Sequence, residues 1–301
     1  RVRGGWLNNG VFAPASYIVY FDGSLAQIIG GTAVSTFFGL NILNTVGVSL
    51  SGPIFIRGNL VNDGLFTCAG YLVTFNGTTL QSIGGLSTTI FGDITTNNAV
   101  GVALGQNIRV RGDFRNLALF AAGGYIVYFD GSLAQAIYST GTLTFHDVVF
   151  ANLAGVTLQN NIFLTGNWTN NGGFLANGKL VTFSGSVLQL IGGSVATVFH
   201  HFTIALGATV QQNLGITLLG DWTNNGSFLA NSLLTYFNGT VLQTIAGSAL
   251  TTFYDVTFNN AVNVALGQNI DVLHNFVNQG GYCGCGFRTR FNGTVAQTID
   301  G

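Results

Sequence analysis

The chain has 301 residues, 48% of them apolar, which is enough to bury a sizeable core. Only 6% are charged, against roughly 25% in an ordinary soluble domain, and the net charge is −1. Eight arginines and a single lysine, Lys179, leave no basic track for a phosphate backbone, so no nucleic-acid partner is expected, and no apolar run reaches the ~20 residues of a membrane-spanning helix. Glu is absent, and Gly, Asn, Thr, Ser and Gln take the place of charge. These residues favour turns and hydrogen-bonded ladders over solvated helix faces.

From the N-terminus, the first extended run is Tyr17-Ile18-Val19-Tyr20-Phe21, closed by a corner at Asp22-Gly23. Gln27 follows, then Ile29 two positions on, so that both share one side of a strand. Further positions with the same alternation are Phe37, Ile54, Leu60 and Asn62. At Phe75 the series starts again.

The tripeptide Phe-(Asn/Asp/Ser)-Gly begins at Phe21, Phe75, Phe129, Phe183, Phe237 and Phe291, a constant interval with no insertion. Its glycines are Gly23, Gly77, Gly131, Gly185, Gly239 and Gly293, which are expected to supply positive φ at a corner. In step with them run Gln27, Gln81, Gln135, Gln189, Gln243 and Gln297, and Ile29, Ile83, Ile137, Ile191, Ile245 and Ile299. Trp6, Leu60, Phe114, Trp168, Trp222 and Phe276 form another set, each followed two positions later by Asn. Surface loops of globular domains tolerate insertions, so a strict period implies stacking in register. The sequence therefore predicts an all-β fold, a parallel β-solenoid (β-helix) of tandem repeats at 1–54, 55–108, 109–162, 163–216, 217–270 and a partial 271–301, as one continuous solenoid.

Sliding the repeat on itself by half its length places apolar on apolar (Phe21 on Val48, Ile29 on Ile56), whereas a shift of one third places Phe21 on Gly39. Two coils per repeat are expected on this basis, with three as the alternative. Two whole coils would put all six Phe-x-Gly sites on one side of the stack, with successive glutamines about 10 Å apart. Each Gln amide would then cap main-chain groups at its own corner or lie in an internal ladder.

Few residues point to chemistry. The aspartates are scattered, with Asp22 and Asp130 at one phase and Asp93, Asp147 and Asp255 at another. His200 and His201 are adjacent, which on a strand sends them to opposite faces. Cys283-Gly284-Cys285 is compatible with a metal or redox pair, but it lacks further ligands at metal spacing and reads as small residues at a turn, while Cys68 falls near the place where other copies carry Pro14, Ala122, Ala176 and Ala230. No catalytic residue, metal ligand or cofactor site is assigned, and the chain is expected not to be an enzyme.

Both terminal segments read as ordinary repeat, so the expected partners are copies of the chain stacked end to end or further repeats, with a glycan or cell-surface contact as a secondary expectation. The segments Leu234-Thr235-Tyr236-Phe237-Asn238-Gly239-Thr240-Val241-Leu242-Gln243-Thr244-Ile245 and Thr252-Phe253-Tyr254-Asp255-Val256-Thr257-Phe258-Asn259-Asn260 resemble the Asn/Thr/Gly-rich tandem repeats of large bacterial secreted and cell-surface proteins, those of Bacteroidota above all. They are more distantly similar to β-helical adhesins of the filamentous-haemagglutinin type. The resemblance implies an extracellular or cell-surface location and a role as fibre, stalk or adhesin shaft, with no catalytic residue. The alternatives are a polysaccharide-binding or polysaccharide-active β-helix, which needs a cluster of Asp, Arg or aromatics breaking the repeat on one face, and an ice-binding protein, which needs a regular Thr-x-Thr array. Neither pattern is expected from the repeat.

Overall fold

The computed structural model describes residues 1–301, which form two compact units, Arg1–Asn160 and Asn161–Gly301. Both are all-β and built in the same way, as parallel β-solenoids. In the first unit the strand Ile18–Phe21 pairs in parallel with Gly39–Ile42, and that strand with Leu60–Asn62, two strands being skipped each time. Three strands therefore make one coil, and each unit has three sides. In the second unit Leu180–Phe183 pairs in the same way with His201–Ile204, and that strand with Trp222–Asn224.

Coil length is where the structure departs from the sequence expectation. Partners in adjacent coils are Val102 and Phe120 at the shortest, then Leu40 and Leu60, Val19 and Leu40, and Leu60 and Ile83 at the longest. These offsets centre on a value that is neither half nor a third of the repeat. One full repeat holds eight strands, from Ile18–Phe21 to Phe66–Thr67, before Val73–Phe75 restarts the pattern. Eight strands on three sides make two coils and two further sides, so each repeat starts one side away from the last. Phe21, Phe75 and Phe129 accordingly belong to three different ladders of the first unit, and Phe183, Phe237 and Phe291 to three different ladders of the second. The expectation of two coils per repeat, with the copies in one file, is corrected on this point. A shift of half a repeat spans four strands, and any whole number of alternating strands superposes apolar on apolar whichever side they occupy.

The core follows from the alternation. Phe21, Phe75, Phe129, Phe183 and Phe237 are fully buried, as are Ile29, Ile83, Ile137, Ile191 and Ile245 to within 1%. Phe291 and Ile299, on the last strands, are 37% and 66% exposed. Where three sides face one another, aromatic rings meet edge to face or tilted. Phe114, Phe129 and Phe145 come from three sides of the first unit, with centroids 5.5 to 6.3 Å apart, and Trp222, Phe237 and Phe253 do the same in the second at 5.5 to 6.4 Å. Such pairs add roughly 0.5 to 1.5 kcal/mol each beyond area burial. An indole NH in this position needs an acceptor. Trp6, Trp168 and Trp222 find it one coil and one side further on, in the hydroxyls of Ser35, Thr197 and Thr251, at 3.0 to 3.1 Å.

No helix is long and apolar enough to cross a membrane.

Candidate functional site

The recurring Gln lies at a corner, and in the first five copies it is buried. Gln81 receives the main-chain NH of Gly77 on Oε1 at 2.8 Å and donates from Nε2 to the carbonyls of Ile56 and Gly58 at 2.9 and 2.6 Å. Asn98, one coil further on, donates to the same Oε1 at 3.0 Å and to the carbonyl of Thr79 at 2.6 Å. One amide thus joins its own corner to the coil before and the coil after. Gln27, Gln135 and Gln243 repeat all these bonds, with Asn44, Asn152 and Asn260 as partners. Gln189 keeps the Gly185 NH and the Leu164 and Gly166 carbonyls, while Leu206 stands at the Asn position. Gln297 keeps the three bonds to Gly293, Val272 and His274. Because successive repeats turn by one side, these amides occupy different corners rather than one file.

The corner glycine has a different cause from the one expected. None of Gly23, Gly77, Gly131, Gly185, Gly239 and Gly293 has positive φ. Each lies against the carbonyl of the coil below, where a Cβ would stand 2.2 Å from the oxygen of Arg57 at Gly77 and 2.2 Å from that of Arg111 at Gly131. Close approach, not left-handed backbone, requires glycine here.

Left-handed residues occur at another corner, at Ala15, Ala69, Gly123, Asn177, Asn231 and Cys285, with φ from 47° to 60°. Each opens a tight turn closed by a main-chain bond from the third residue to the one before the opening, such as Tyr71 NH to Cys68 carbonyl at 2.8 Å and Lys179 NH to Ala176 carbonyl at 2.9 Å. The following Gly70, Gly178 and Gly286 are also left-handed, which is the type I′ geometry favoured by Asn-Gly. Cys68, just before its turn, is buried, and burial pushes its thiol up to about 12. Cys283 and Cys285, expected as small residues at a turn rather than as a metal or redox pair, sit at such a turn and are joined in a disulfide.

His200 and His201 do not point to opposite faces. His200 is the single residue between the strands Thr197–Phe199 and His201–Ile204, so the chain bends there, and the two rings meet at 4.4 Å on one side of the corner. Gly220 packs beneath them, and His201 Nδ1 accepts the NH of Asp221 at 3.0 Å. His200 Nδ1 is buried without a hydrogen bond, and desolvation followed by the charge of His201 pushes this imidazole below its ordinary range. No group of three or more His, Cys, Asp or Glu is placed to hold a metal ion.

Charged pairs sit at corners and on outward strand positions. In the first unit Asp22 takes the Arg1 guanidinium at 2.7 Å, and Asp130 pairs with Arg109, which lies 4.8 Å over the Tyr128 ring. The second unit gathers a larger set, which no sequence pattern announces. Arg290 binds Asp271 through two nitrogens, at 3.0 and 2.5 Å, on neighbouring strands. At the adjoining corner Tyr254 stacks on His274 at 4.9 Å, and His274 Nδ1 meets Asp255 Oδ1 at 2.8 Å. Beside them the strands Ser227–Leu229 and Thr251–Phe253 occupy one side without pairing, and a groove of about 650 Å³ opens, lined by Leu229, Asn231, Leu250, Thr252 and Tyr254 among others. The stretch from Leu229 to Arg290 is longer than one repeat, and only the winding of the coils brings its residues onto one side. Outward threonines run in single file, as at Thr182, Thr203 and Thr223.

Comparison with protein-family models, with curated proteins and with solved structures gives no match in any of the three. The fold and its repeated corner define the class, a tandem-repeat parallel β-solenoid. Within it, each unit of this chain is a three-sided solenoid whose eight-stranded repeat steps one side at a time.

Proposed function

We propose that the chain is a structural element of an extracellular or cell-surface filament or adhesin shaft, extended by coil-on-coil pairing with further repeats or with copies of itself, and that it is not an enzyme. The observation that carries this reading is the Gln corner. In all six copies the amide binds the coil before its own, and in four an Asn from the coil after completes a lock across three coils. The recurring polar residues are thereby spent on coil-to-coil cohesion along the stacking direction, where a load-carrying rod needs it. The likeness to bacterial tandem repeats supports the location. Electron microscopy of the native material tests it: thin, unbranched filaments or stalks of constant width are expected, and compact particles would contradict the reading.

A second reading, glycan contact at the shaft surface, is favoured by the groove lined by Leu250, Thr252 and Tyr254 together with the smaller depression lined by Leu250, Asp271 and Arg290, which place aromatic and polar groups on neighbouring coils, as sugar recognition requires. Glycan-array binding that Tyr254→Ala and Arg290→Ala abolish would support it, and binding unchanged in both variants would remove it.

A further inference from the structure

Six turns at one repeat phase provide an internal comparison for the Cys283–Cys285 disulfide. Five of them, opened by Ala15, Ala69, Gly123, Asn177 and Asn231, adopt the same left-handed first residue and the same closing hydrogen bond with no cross-link. The sixth, opened by Cys285 at φ 49° and closed by Phe287 NH to Gly284 carbonyl at 2.8 Å, is not distinguished from them in backbone. The turn therefore forms without the disulfide. Nor does the bond constrain much unfolded chain, because it spans a sequence separation of only 2 and loop entropy falls with loop size. A structural staple would join distant segments. This one is also reachable: Cys285 is exposed and Cys283 half-buried, unlike the buried Cys68.

We infer that Cys283 and Cys285 form a thiol–disulfide exchange site that takes an incoming thiolate as its substrate. The thiolate sulfur attacks Cys285 Sγ, the more exposed of the two, and forms the mixed disulfide. The Cys283–Cys285 bond breaks, its electron pair leaves on Cys283 Sγ, and that sulfur takes a proton from water. Attack by Cys283 on the mixed disulfide reverses the step and expels the original thiolate, so the cycle needs no external oxidant. A second incoming thiolate instead leaves both cysteines as thiols and carries away two sulfurs as the oxidised disulfide.

The test uses the folded chain and reduced glutathione at millimolar concentration, followed by alkylation and mass spectrometry. Alkylation of Cys283 and Cys285 but not of Cys68 is expected, with a thermal midpoint within about 3 °C of the oxidised chain. Cysteines that react only after denaturant is added would overturn the inference, as would a larger fall in midpoint, which would mark the bond as a staple. Cys283→Ala supplies an independent reading, because its lone Cys285 should form a stable adduct with oxidised glutathione, and no adduct in the folded variant would equally overturn it.

Discussion

The side-chain amide of Gln81 donates to the carbonyl of Gly58, one coil below, at 2.6 Å. The same bond recurs from Gln135 to Gly112 and from Gln243 to Gly220. Since the amide also serves Gly77, Ile56 and Asn98, replacing it strands buried main-chain groups on two coils. Gln81→Leu should cost about 3 kcal/mol or more, at roughly 1 to 3 kcal/mol per buried group left unpaired. Asn98→Leu should cost less, because the fourth copy folds with Leu206 at that position. Urea unfolding midpoints of the two variants give the ranking, and equal costs would mean that the amide is not the centre of the corner.

Steric contact rather than φ accounts for the corner glycines, so Gly77→Ala should destabilise by about 3 kcal/mol through collision with the Arg57 carbonyl and the Gln81 amide. Gly52→Ala, with open space around the added carbon, should lie within about 0.5 kcal/mol of the parent. The same denaturant series checks both.

Trp168 donates to Thr197 Oγ1 at 3.0 Å. The third copy carries Phe114 and Leu143 at these two phases, whereas the second keeps Thr89 beside Leu60, where the hydroxyl accepts from Asn62 and Gln106. Thr197→Val should cost about 1 to 3 kcal/mol with Trp168 present and less than half as much in a Trp168→Phe background. A double-mutant cycle measured by chemical denaturation reports the difference, and additive costs would show that the hydroxyl does not serve the indole.

Protonation of His200 is disfavoured in the folded chain by burial and by His201. Its folded pKa lies below the unfolded value, so the unfolded chain takes up the proton first as the pH falls. The stability held by the neutral ring is complete above the ordinary imidazole range and is lost on acidification toward the folded pKa. His200→Phe, the residue found at Phe38 in the first copy, should flatten the decline in thermal midpoint below about pH 6.5. A slope that is the same in both proteins would contradict this assignment.

Much of this architecture is legible in the sequence, and the failures have particular causes. Phe21, Gln27 and Ile29 recur at a constant interval because each strand must keep one side inward, and that regularity alone specifies parallel stacking. Self-alignment could not count the coil, since Phe21 on Val48 reports a whole number of strands, and the number of sides enters only through corner geometry. Strand alternation sends His200 and His201 apart, but one corner residue reverses the alternation and puts the two rings together. Tyr254, Asp271 and Arg290 look dispersed in the repeat because adjacent coils are not adjacent copies.

The stepping of the repeat from side to side is open to direct measurement with paired spin labels. Leu25 and Leu65 are exposed at one corner of the first unit, on coils separated by the coil of Val46, and should lie about 10 Å apart, whereas Thr79, one repeat beyond Leu25, is at a different corner. With Cys68, Cys283 and Cys285 replaced, labels on Leu25→Cys and Leu65→Cys should show strong dipolar broadening, and labels on Leu25→Cys and Thr79→Cys should show little. Strong broadening in the second pair and not in the first would place two whole coils in each repeat and contradict the three-sided account.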